Sequence, residues 1–60
     1  MSKIIRRVIN NQTFVFRNYG EGWDVYNEYD DIDGFHLNLL EEGCATREEA
    51  LKIAEEYAYA

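Results

Sequence analysis

The chain predicts an α+β fold, a three- to four-stranded antiparallel meander sheet packed against one C-terminal helix, in a single domain of 60 residues. Three observations predict it. Runs of β-branched and aromatic residues fill the chain up to about residue 40. Pairs or clusters of Asn, Gly and Asp separate those runs, and the last stretch changes to helical periodicity behind a capping signal. A sheet with one apolar face needs a cover, and a single amphipathic helix supplies it in two layers.

The first strand is expected at about 3–9, where Ile4, Ile5, Val8 and Ile9 favour extended backbone over helix. Asn10-Asn11 then supplies a pair that tolerates the positive φ of a tight hairpin, and the second strand follows at about 13–18. Gly20 and Gly22 reverse the chain into a third strand at about 23–29, with Arg17 opposite Asp24, Phe16 opposite Val25 and Val15 opposite Tyr26. Asp30-Asp31-Ile32-Asp33-Gly34 is read as a five-residue loop before a fourth strand at about 35–40. Thr46-Arg47-Glu48-Glu49 is a capping box that opens a helix at about 47–58, whose apolar stripe is Ala50, Leu51, Ile53, Ala54, Tyr57 and Ala58.

On this scheme the helix-covered face carries Ile5, Phe14, Phe16, Trp23, Val25, Phe35, Leu37 and Leu39, while His36 and Asn38 face outward. Arg7 disturbs the pattern by falling between Ile5 and Ile9. Either it lies at the sheet margin or the first turn has three residues.

Charge is segregated along the chain. Lys3, Arg6, Arg7 and Arg17 stand among the first eighteen residues without an acid. Glu21, Asp24, Glu28, Asp30, Asp31, Asp33, Glu41 and Glu42 follow without a base, and the net charge is −6. That balance opposes general affinity for nucleic acid or anionic lipid, which depends on Lys and Arg neutralising phosphate. A basic protein surface is the expected partner, with no direct nucleic acid contact and no membrane. The single cysteine, Cys44, excludes an internal disulfide. With no long apolar run the chain is expected in the cytoplasm of the producing or infected cell, as a monomer or homodimer.

No catalytic, cofactor or metal site is expected. Aligning Gly34 with the glycine of a calcium loop leaves Tyr29 and Leu40 where carboxylates are required. His36 on the outer face and Cys44 ahead of the helix point apart, which opposes a nucleophile–base pair. The candidate partner-binding residues are therefore Asp24, Tyr26, Glu28, Tyr29, Asp30, Asp31, Asp33 and His36. Tyrosine among carboxylates gives contact area together with acceptors for guanidinium groups.

The short aromatic strands followed by Thr46-Arg47-Glu48-Glu49-Ala50-Leu51 and Ile53-Ala54 resemble the sheet-plus-helix N-terminal domains of phage integrases, over residues 13 to 58. That resemblance implies a sheet that enters a DNA groove, but Asp24 and Glu28 stand where basic residues belong. In size, acidity and scarcity of cysteine the chain also resembles small phage-encoded inhibitor proteins of the anti-CRISPR kind. This second resemblance implies a non-enzymatic module that docks an acidic face onto a basic nucleic-acid-processing protein. The alternative is a small nucleic-acid-binding module that uses the basic N-terminal hairpin.

Overall fold

Turn chemistry organises the sheet. In the computed structural model, which describes residues 3–60, strands β1 (Lys3–Ile9), β2 (Gln12–Asn18), β3 (Trp23–Asp31) and β4 (Gly34–Cys44) form one antiparallel sheet in the order β1-β2-β3-β4. Helix α1 (Arg47–Ala58) follows and lies across one sheet face. Asn10 and Asn11 take φ of 50° and 62°, so the first turn has two residues and Ile9 pairs with Gln12. Such a turn matches the twist of the strands it joins. It also puts Arg7 on the helix-covered face opposite Phe14, at the β1 edge, in a crevice shared with Ile5, Phe16, Arg47 and Leu51.

The β2–β3 register sets Arg17 opposite Asp24, Phe16 opposite Val25 and Val15 opposite Tyr26, as the sequence predicts. Phe14, Phe16 and Val25 are buried with Cys44 and with Ala50, Ala54 and Ala58 of the helix. The alanines recur every fourth residue and therefore form one stripe along α1. Their small size brings the helix backbone close to the sheet, while Leu51 and Ile53 pack beside them with Ile5, Ile9, Trp23 and Leu40. Tyr57 meets Phe14 edge to face at 5.9 Å, a favoured aromatic arrangement.

Both helix ends are secured. The Glu49 N–H donates to Thr46 Oγ1 at 3.1 Å, and the Glu49 carboxylate accepts the Ala45 N–H at 3.2 Å. At the other end the Ala58 carbonyl accepts from Asn10 Nδ2 at 2.8 Å and Gln12 Nε2 at 3.2 Å. These last bonds satisfy a carbonyl that has no partner within the helix and pin α1 to the first hairpin.

The fourth strand departs from the expected arrangement. The five-residue loop is instead a two-residue connection, Ile32-Asp33, with Asp31 paired to Gly34. Pairing therefore puts Phe35 opposite Asp30, His36 opposite Tyr29 and Leu37 opposite Glu28. Because side chains alternate strictly between faces, this register turns Phe35, Leu37 and Leu39 away from the helix and His36 and Asn38 toward the helix side. The three apolar residues are 60, 48 and 48% exposed. The same side of β4 continues through Leu40, which packs on the core, to Cys44, which is buried in it, with two register shifts flanking Val25 on the partner strand.

Candidate functional site

The eight acidic and aromatic candidates divide into two groups. Asp24, Tyr26 and Glu28 stand at alternate positions of β3 on the uncovered sheet face, beside Leu37 and Leu39 rather than the expected His36 and Asn38. Two of these three are tied to the scaffold. Glu28, with only 14% of its side chain exposed, is paired with Arg6, which reaches across from β1. Asp24 Oδ1 accepts the Gly43 N–H at 3.1 Å and so holds the irregular end of β4.

The second group, Tyr29, Asp30, Asp31, Asp33 and His36, gathers at the tip of the β3–β4 hairpin. Asp31 Oδ1 accepts the Asp33 N–H at 2.8 Å and lies 2.9 Å from His36 Nε2. The first contact is the local side-chain-to-backbone bond that favours Asp in turns. The Tyr29 and His36 rings, opposite each other in the register, stack at 5.2 Å with 21° between their planes. Gly34 closes the turn at φ +115°, a conformation that residues with a side chain rarely adopt.

Ile32 occupies the apex at 99% exposure, between Asp31 and Asp33. It was absent from the sequence candidates, as were the outward Phe35, Leu37 and Leu39. The pattern Asp31-Ile32-Asp33-Gly34 carried a usable signal, since Asp at the first position and Gly at the fourth favour a tight four-residue turn. Reading it as such fixes the parity of β4 and the apex position of Ile32 together.

The basic residues of the first hairpin are also placed. Arg6 is held by Glu28, Arg7 lies on the helix side, and the Arg17 guanidinium stacks 4.4 Å from the centre of the Tyr19 ring. Burial and the carboxylates of Glu41, Glu49 and Asp24 push the Cys44 thiol above its ordinary pKa, which favours the protonated, weakly nucleophilic form at neutral pH. His36 and Cys44 lie eight residues apart on one strand, a separation on the order of 25 Å at strand spacing. They cannot act on one reacting atom. Among the described residues, no group of three or more His, Cys, Asp or Glu side chains is arranged to hold a metal ion, and no helix is long and apolar enough to cross a membrane.

The hairpin tip can therefore offer acidic acceptors around a protruding apolar side chain, on a turn held by its own hydrogen bonds. Comparison with known proteins finds no family model, no curated protein and no solved structure that matches this chain.

Proposed function

We propose that this protein is a non-enzymatic protein-binding module that docks its acidic β3–β4 hairpin onto a basic nucleic-acid-processing protein and inhibits it. It would act in the cytoplasm of the producing or infected cell, in the manner of small phage-encoded inhibitors of host defence. The observation that carries the reading is Ile32, 99% exposed at the apex of a turn flanked by Asp30, Asp31 and Asp33. An apolar anchor inside a ring of carboxylates suits a partner pocket rimmed by Arg or Lys. The anchor gains by burial, and the charges provide orientation and a faster encounter. A turn already braced by the Asp31 contacts loses little further freedom on binding.

The test is affinity capture from host lysate with mass-spectrometric identification, run in parallel on four forms of the protein. The wild type should enrich a basic nucleic-acid-binding protein and compete with that protein's nucleic acid. Ile32→Ala and the triple change Asp30→Asn, Asp31→Asn and Asp33→Asn should each lose it, whereas Arg6→Gln with Arg7→Gln should keep it. Tight binding of the wild type to bare DNA or RNA, lost in the arginine variant and kept in the acid variant, would replace this reading with the nucleic-acid module.

A further inference from the structure

The sheet has two faces, and among the described residues only the one under α1 is covered. On the open face, Ile4 and Val8 of β1 and Phe35, Leu37 and Leu39 of β4 are 48 to 67% exposed. Among the described residues the only large side chains below 2% exposure are Phe14 and Val25. A chain of this length gains little from one small core, and association is a common way to enlarge it. We propose that the open face is the interface of a homodimer, in which two copies pack these sheet faces together about a twofold axis running along the strands.

The charge layout on that face selects both the occupant and the axis. Arg6 and Arg17 lie on β1 and β2, whereas Asp24, Glu28 and Asp30 all lie on β3. A uniformly basic partner would meet the two arginines, and an acidic one would meet the three acids. A second copy presents both signs. A twofold axis across the strands would stack β3 on β3 and bring the carboxylates of the two copies together, and like charges so placed oppose association. An axis along the strands instead lays β1 over β4 of the second copy and β2 over its β3.

The register then decides which residues meet. Val8, Thr13, Glu28 and Leu37 form one row across the sheet, Arg6, Val15, Tyr26 and Leu39 the next, and Ile4, Arg17 and Asp24 the third. With rows aligned and strand order reversed, Val8 faces Leu37, Val15 faces Tyr26, and Arg17 faces Asp24 of the other copy. Among the described residues Arg17 makes no ion pair within the chain, and its guanidinium rests on the Tyr19 ring, 4.4 Å from its centre, rather than on an acid. A molecule with extents of 35 × 25 × 15 Å has a broad face with room for the roughly 800 Å² per partner that standard interfaces bury. Aligned sheet packing at about 10 Å separation is the usual geometry for two such faces.

This inference does not depend on the proposed inhibitory role, because the turn from Asp31 to Gly34, with Ile32 at its apex, stays outside the interface. The arrangement sends both tips out of the same end of the dimer.

Sedimentation equilibrium on the full chain tests it. At about 100 µM, where a micromolar Kd gives mostly dimer, the wild type should sediment at twice its chain mass of 7.1 kDa. Leu37→Lys should return it to monomer with its far-ultraviolet dichroism unchanged. Arg17→Asp and Asp24→Arg should each weaken self-association, and mixing the two variants should restore a dimer, because only across the interface does Asp at 17 meet Arg at 24. A monomeric wild type at that concentration overturns the proposal and leaves the face to a different partner. A dimer that survives Leu37→Lys overturns it in favour of pairing through an edge or the helix. Folded single variants that fail to associate on mixing overturn the axis along the strands.

Discussion

At the scale of single residues, stability rests on very few side chains. Phe14 is fully buried between sheet and helix and meets Tyr57, whereas Leu51 and Trp23 pack at the core's margin with part of their surface in solvent. Phe14→Ala is expected to cost about 3–5 kcal/mol, the range for deleting a buried aromatic ring. Leu51→Ala should cost about half as much, because its site can partly refill with water. Denaturant melts of the two variants measure this directly. A loss under about 1 kcal/mol for Phe14→Ala, within reach of surface substitutions, would mean that the helix does not press on β2. Acids of the same type also have unlike roles at this scale: Asp24 and Glu28 brace the scaffold, whereas Asp30 and Asp33 stand around an exposed apex.

At the scale of elements, α1 is short and depends on its ends. The first turn is closed by Thr46 and Glu49, and the last by amides from the β1–β2 hairpin. Removing the cap with Thr46→Ala is expected to destabilise by about 1 kcal/mol, and adding Glu49→Ala should cost more through loss of the Ala45 contact. Thermal unfolding checks it. An unmoved midpoint in the double variant would show that the helix start is held by packing alone. The β3–β4 hairpin shows how much hangs on one turn. Three residues shorter than its reading as a loop, it reverses the facing of Phe35 to Leu39, and the open sheet face gains three large apolar side chains.

At the scale of the whole molecule, a thin core and an apolar open face belong to the same problem. Sixty residues cannot cover both sides of a four-stranded sheet with one twelve-residue helix. If a second copy supplies the missing cover, unfolding is coupled to dissociation and stability follows mass action. The thermal midpoint should then rise by several degrees between about 5 and 500 µM protein, a shift in keeping with a few kcal/mol in a domain this small. The same scan on Leu37→Lys should show a midpoint independent of concentration. A concentration-independent wild type would count against dimer-linked stability.

The sequence by itself determined the order of elements, the first two hairpins and the helix. Each of these is specified by neighbours in the chain: Asn10-Asn11 for a two-residue turn, Gly20 and Gly22 for the second reversal, and Thr46 with Glu49 for the cap. Their signals act over a few residues and need no distant partner. Asp24, Tyr26 and Glu28 were legible as one outward row for the same reason, since alternation along β3 is a local property. The tertiary structure decided which side of β4 meets the helix, because facing depends on whether the preceding connection has an odd or even number of residues, and the acidic stretch before β4 can be read as a five-residue loop or as the two-residue turn it forms. It likewise decided that Arg6 reaches Glu28 across an intervening strand, that Asp24 holds Gly43, and that His36 stacks on Tyr29 behind the acidic row. These pairings join residues 7 to 22 positions apart, and which of several available partners each side chain takes is settled by the register and twist of the sheet rather than by composition.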